Sequence, residues 1–252
     1  MKSLLNNCAV SSNKKPIIIA IDGPAGSGKS TGAYLLAKKL GFVYLDTGAM
    51  YRALTWKALQ AGVNLKDKKS LSRLAKTTKI TLLPRDDFPG VLVYVDGQDV
   101  SSLIRTPEIN KWVSVVASIP EVRHAMVEMQ RKIAQEKSVV AEGRDIGTVV
   151  FPEADVKIFL VASLEERVKR RWKELQEKKI FCTKEEVKKE LQLRDKLDSE
   201  RKVSPLKKAP DAFLLDNTNL SISETLEKLL QIVTSKIGYQ KMHLNERNSF
   251  MV

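Results

Sequence analysis

The chain has 252 residues, 43% of them hydrophobic, enough to bury a sizeable core in one α/β domain with an insertion or in two small domains. Its 43 Lys and Arg against 30 Asp and Glu leave a formal charge of +13, which suits polyanionic ligands without choosing among nucleic acid, acidic lipid and small phosphorylated molecules. No apolar run reaches spanning length, Leu4-Leu5 is too short for a signal-peptide core, and Cys8 and Cys182, far apart and outside any Cys/His cluster, indicate neither a disulfide framework nor a zinc site, so a cytoplasmic protein without a membrane role is expected.

Ile17 to Ile21 is a continuous apolar run and reads as a strand buried on both faces. It leads into Gly23-Pro24-Ala25-Gly26-Ser27-Gly28-Lys29-Ser30-Thr31, which matches every fixed position of the phosphate-binding loop and precedes a helical segment, Ala33 to Leu40. In such a loop the glycines let backbone N–H groups turn inward at the positive end of the helix. Lys29 then reaches the β- and γ-phosphates of a nucleoside triphosphate, and the Ser30 hydroxyl holds the Mg²⁺ that neutralises them.

Tyr34, Leu35, Leu36 and Leu40 form the apolar stripe of that first helix, with Gly41 as its cap. Gly32 within it costs about 1 kcal/mol relative to Ala unless close packing requires it. Phe42 to Leu45 is a second strand, and Asp46 or Thr47 caps a helix that sets Thr47, Tyr51 and Arg52 on one face. The Lys66 to Lys69 run reads as a solvated helix face. From about Leu74 to Ile109 the texture turns β-rich: Ile80–Leu83 and Val91–Val95 are separated by Pro84 and Pro89-Gly90, and Asp96-Gly97 signals a tight turn. A small antiparallel insertion over residues 74–109 is expected.

Pro107 starts a helix through Ser118 and Pro120 another through about Glu136. Ser138 to Glu142 is a third strand ending in the glycine-punctuated turn Gly143-Arg144-Asp145-Ile146-Gly147, and Val156 to Val161 is a fourth. Helices from Leu164 to about Gln176 and from Thr183 to about Lys202 flank residues 177–182, the expected tip of a mobile lid spanning about 171–195. Ala212 to Asp216 is the fifth strand, and Ser221 with Glu224 forms a capping box for the last helix, which ends at Ile237. Residues 1–15 and 238–252 read as tails around a core of residues 16–73 and 110–237. Strands alternating with helices after a phosphate loop predict a P-loop α/β fold, a five-stranded parallel sheet with helices on both faces.

Arg52, Arg144, Arg194 and Arg201 each lie beside an element that ends at the predicted ligand edge or in the lid. Several guanidinium forks converging on one acceptor phosphate would hold it in line with the γ-phosphate of ATP.

The loop, together with Tyr44-Leu45-Asp46-Thr47-Gly48-Ala49-Met50-Tyr51-Arg52, Glu142-Gly143-Arg144-Asp145-Ile146-Gly147-Thr148-Val149-Val150-Phe151-Pro152 and Arg194-Asp195-x-x-Asp198, resembles the bacterial cytidylate kinases over about residues 16–237. The resemblance implies MgATP-dependent phosphorylation of CMP and dCMP. A monomer acting on small molecules is expected, and no nucleic-acid partner, since no aromatic residues interleave with the basic ones and no RNA-binding module is visible. It further implies that Arg52, Arg144 and Arg201 clamp the acceptor phosphate and that Ser114, Arg123 and Asp145 read the cytosine. Thr47, Tyr51, Arg194 and Asp198 are placed by it around the sugar and phosphate, and the β-rich insertion at the acceptor nucleotide. No general base is called for, because a phosphate oxygen is already an anion, so His124 and His243 are expected to be idle. The competing readings are a kinase for UMP, AMP or shikimate, a nucleic-acid-binding ATPase motivated by the charge, and a module that binds nucleotide without turnover. Asp145 favours cytosine over uracil, since it accepts from an amino group.

Overall fold

The computed structural model describes residues 15–85 and 90–238. Residues 1–14, 86–89 and 239–252, and with them Cys8, Pro89, His243 and most of both expected tails, lie outside the described residues.

Five parallel strands form the main sheet: β1 (Ile18–Asp22), β2 (Val43–Asp46), β6 (Val139–Gly143), β7 (Val156–Val161) and β8 (Phe213–Asp216), in the order β2-β6-β1-β7-β8. Its pleat divides the core. Ala20, Val139 and Ala141 face one side, where they pack with α2 (Thr47–Gln60), α3 (Lys68–Thr77), α4 (Pro107–Val116) and α5 (Pro120–Ile133). Ile19, Ile21 and Val140 face the other, against α1 (Lys29–Leu40) and α8 (Ile222–Ile237). This is the helix-on-both-faces arrangement that a continuous apolar run at β1 demands, because a side chain on either face must be buried.

Gly32 is explained by packing: a Cβ there would lie 3.0 Å from Leu229 Cδ1, so α1 and α8 approach closely at that turn. Gly41 caps α1 in the left-handed conformation, at φ 66. Asp46 caps α2 by accepting from the Ala49 N–H at 2.8 Å, which leaves Thr47 as its first residue. Both proline-started helices begin where expected, but α4 ends at Val116 and α5 at Ile133. The residue before Pro120 is pushed out of the helical region, which closes α4 early.

The second sheet is antiparallel, in the order β3 (Ile80–Pro84), β4 (Val91–Val95), β5 (Gln98–Asp99). Pro84, expected to break the strand, is its last residue; β3 is an edge strand, where a missing N–H costs nothing in the ladder. Helix precedes it through Thr77, since Leu71 and Ala75 are buried on one face of α3, so strand begins at Ile80. Val91, Val93 and Val95 pack onto Ala49, Ala53 and Trp56 of α2, which joins the insertion to the core beside the cleft.

The helices α6 (Leu164–Glu177) and α7 (Lys184–Glu200) form a hairpin whose apolar contacts, Val168, Leu175, Val187 and Leu191, include Ala25 of the phosphate loop. At the hairpin's tip Phe181 is 89% exposed. The described residues contain no helix long and apolar enough to cross a membrane.

Candidate active site

The carboxyl ends of β2, β6 and β1 are in register, pairing Asp46 with Glu142 and Asp22 with Gly143. Loops leaving that edge surround one cleft of about 1650 Å³, which runs from Gly26, Gly28 and Lys29 to Arg123 and Asp145. Ligands of open α/β sheets bind at this edge.

The donor end is built on the loop. Gly23 turns the chain tightly against β7, and the loop's left-handed glycines, Gly26 at φ 74 and Gly28 at φ 88, lead into α1. Lys29 is 5% exposed and its ammonium group donates to the Pro24 carbonyl at 2.6 Å and to Ser27 Oγ at 3.3 Å. Burial, followed by the repulsion of Arg144, lowers its pKa to about 7, against the pull of Glu142 and Asp22. Ser30 donates to Glu142 Oε1 at 2.7 Å. Glu142 is 4% exposed, and burial, with the charge of Asp46, raises its pKa.

The other end gathers the arginines. Arg144 Nε donates to Asp198 Oδ2 at 2.7 Å, and the Ser114 hydroxyl to Asp198 Oδ1 at 3.2 Å, so one carboxylate of α7 ties α4 to the turn after β6. Burial alone would raise the Asp198 pKa; Arg144 and Arg194 bring it below the usual range. Arg123 donates to Asp145 Oδ2 and to the Ala117 carbonyl, and Arg201 Nη2 reaches Asp145 Oδ1 at 3.3 Å. Tyr51 lays its ring 5.5 Å from the Arg123 guanidinium, with its hydroxyl buried and unpartnered. Arg52 donates to Asn110, and burial together with the charges of Arg194 and Arg105 lowers its pKa. Arg194 is pushed down to about 10, by burial and then by Arg144, and its buried Nε is unpartnered. Guanidiniums that repel one another in a buried cleft call for an anion between them.

Thr47 is at the cleft, but its hydroxyl donates to the Glu142 carbonyl at 2.7 Å, which leaves only its lone pairs for a ligand. Arg170 is held by Glu166 and Asn217, and Arg171 by Glu174. His124 is exposed on α5, 3.7 Å from Glu128.

Several residues escape a reading of the sequence. Asp22, 4% exposed, accepts from the Ile146 and Gly147 N–H groups at 2.8 Å each and so shapes the π-type turn Ile146–Val150 that follows Arg144 and Asp145. Its only signal is an acid closing an apolar strand. Arg131 satisfies the Val149 and Val150 carbonyls of the same turn, both at 2.8 Å. Arg105, at the end of the insertion, pairs with Asp46 at 3.2 Å. Asn217 donates to the Ser27 carbonyl at 3.0 Å. Nothing local in the sequence marks these last three.

A parallel α/β sheet whose phosphate loop faces a cradle of arginines across one cleft defines the P-loop kinases of small phosphorylated substrates. The family model described as "Cytidylate kinase" matches residues 19–235, and the chain belongs to the cytidylate kinase family. A protein of Carboxydothermus hydrogenoformans named cytidylate kinase is 52% identical over 218 residues, covering 86% of this chain and 97% of its own. One of Geobacillus sp. with the same name is 51% identical over 222 residues, 88% of this chain and 98% of its own. Among solved structures, TT1252 of Thermus thermophilus overlaps 89% of this chain and 99% of its own at 24% identity and a TM-score of 0.45, too loose a likeness to bear on function.

Proposed function

We propose that the protein transfers the γ-phosphate of MgATP to CMP and dCMP, giving the nucleoside diphosphates and ADP. The observation that carries this is the single cleft: the phosphate loop with Lys29 lines one end, Asp145 with Arg123 the other, and Arg144 and Arg194 lie between. The family membership and the names of its relatives support the same acceptor.

In this reading residues 23–31 hold the donor triphosphate. Arg52, Arg144 and Arg201 bind the acceptor phosphate, with Arg194 between the reacting groups, while Ser114, Arg123 and Asp145 select the base. Thr47, Tyr51 and Asp198 support the sugar and the arginines. The antiparallel sheet β3–β5 closes over the acceptor, and α6–α7 over the donor. Both oxygens of Asp145 already accept from arginines, and a carboxylate retains lone pairs for one further donor, the exocyclic amine that cytosine has and uracil lacks.

Mg²⁺ fits the oxygen donors beside Lys29: the exposed Ser30 hydroxyl, backed by the buried carboxylate of Glu142, is a hard-oxygen set suited to it. When bound, the ion would neutralise charge on the donor phosphates. The chain's own contribution is positioning and charge. Lys29 and the arginines hold the two phosphates in line, and closure of α6–α7 excludes water from the transferring group. A cytoplasmic monomer acting on small molecules belongs to the same reading.

The direct test is ADP formation from MgATP with CMP, dCMP, UMP and AMP in parallel. CMP and dCMP should be preferred, and equal turnover of UMP or AMP would refute the acceptor assignment. Asp145→Asn is expected to lower the kcat/KM ratio of CMP to UMP about tenfold, and an unchanged ratio would remove Asp145 from base selection.

Lys29 supplies a pH dependence. Burial, then the charge of Arg144, lowers its pKa to about 7, and a triphosphate beside it would raise it again. ATP binding should therefore take up close to one proton at about pH 8, and affinity should fall as pH rises from about 7 to 8.5. Calorimetry in buffers of different ionisation enthalpy reads the uptake directly; zero uptake would mean a lysine already charged in the free enzyme.

A further inference from the structure

If the loop's N–H groups are to point into the cleft, its carbonyls must point back into the protein, where each needs a donor. Ala25 is held on both sides by one ion pair. Its carbonyl accepts from Arg167 Nη1 of α6 at 3.1 Å, and its N–H donates to Asp195 Oδ1 of α7 at 3.4 Å. Arg167 Nη1 and Asp195 Oδ2 are 2.6 Å apart, and the Arg167 side chain, 9% exposed, also donates to the Ala162 carbonyl. Neither Arg167 nor Asp195 lines the cleft. Asp195 nevertheless lies between Arg194 and Asp198 on α7, and Asp198 holds both Arg144 and Ser114. Ala25 also belongs to the apolar cluster of Val168, Leu175, Val187 and Leu191, so this one residue joins the donor loop to both helices of the hairpin.

Building on the kinase reading above, we propose that the Arg167–Asp195 pair is a positioning device that couples the donor loop to α7, so that ATP and the acceptor bind cooperatively. Arg167 is buried and Asp195 is 24% exposed at its side chain, so breaking the pair leaves the guanidinium desolvated without its carboxylate, and the hydrogen bonds to Ala25 and Ala162 favour one geometry for it. Triphosphate held by the loop fixes Ala25; Ala25 fixes Asp195, and the helix then presents Arg194 and Asp198 to the acceptor. Without the pair, the loop and α7 each retain their own ligands and lose their shared register.

The test is the coupling between the two substrates, read from binding alone. The Kd of CMP is measured by calorimetry with and without a saturating non-hydrolysable ATP analogue and Mg²⁺, in the wild type, Asp195→Ala and Asp195→Asn. In the wild type the analogue should tighten CMP about fivefold or more; in both variants the factor should fall to within about twofold of one, while the Kd of CMP alone changes less than about threefold. The Asn variant is isosteric and keeps the comparison interpretable if Ala lowers the melting temperature. A factor near one in the wild type, or a factor that survives in a folded variant, overturns the coupling. A wild-type chain that binds CMP with coupling but does not phosphorylate it overturns the kinase reading instead.

Discussion

Replacing Lys29 with Met is expected to lower kcat about a thousandfold while leaving the melting temperature within about 3 °C of the wild type. The two halves of that outcome have one cause. The Lys29 ammonium group is buried beneath the loop, held by the Pro24 carbonyl and Ser27 Oγ and repelled by Arg144, which is why its pKa falls to about 7. An apolar chain of similar length removes that desolvation cost and offsets the lost hydrogen bonds. In the proposed reaction the same charge would face the oxygens of the transferring group inside a water-excluded cleft, where a fixed cation acts most strongly. The KM for CMP should change little, because Lys29 belongs to the donor end. A kcat within tenfold of wild type would assign transition-state stabilisation to the arginines alone.

Gly23→Ala should destabilise the fold by more than about 4 kcal/mol or prevent folding altogether. A Cβ at Gly23 would lie 2.0 Å from the Leu160 carbonyl oxygen and 3.1 Å from its carbon, both backbone atoms of β7, and φ is +153. Neither side can yield: β7 pairs with β1 on one edge and β8 on the other, and Gly23 directly follows β1. Gly62→Ala is the control. Its φ is +62 but a Cβ there meets nothing within 4 Å, so only the conformational cost of about 1 kcal/mol applies. Urea denaturation of the two variants separates clash from strain, and similar midpoints would refute the close approach of β1 and β7.

The parts of the structure legible in the residues are those that depend on local chemistry. The apolar run of β1, the glycines and Lys29 of the loop, the prolines that open α4 and α5 and the capping box at Ser221 each act over a few residues. Pro84 does end the strand, but as its last paired residue, which it can be because β3 is an edge strand, a property of the assembled sheet. The arginines were found because four guanidiniums near one sheet edge are chemically conspicuous. The residues that shape the loops around them were not: Asp22 and Asn217 are ordinary polar residues until folding buries them, and Arg131 until the turn at Val149 and Val150 comes within its reach.

By itself, the sequence determined the phosphate-binding loop at the end of the first strand, because a phosphate cradle is a contiguous stretch of backbone whose geometry a few glycines and one lysine specify. It also determined the alternation of strand and helix, from periodicity alone. Only the tertiary structure decided the strand order β2-β6-β1-β7-β8, and with it the alignment of Asp46, Glu142 and Asp22 at one edge. It alone decided that Asp198 would bridge Ser114 and Arg144 from residues 84 and 54 positions away, and that Arg167 and Asp195 would grip Ala25 across separations of 142 and 170. The reason is physical: pairings across such separations depend on which surfaces the whole core buries together, and no stretch of chain carries that information locally.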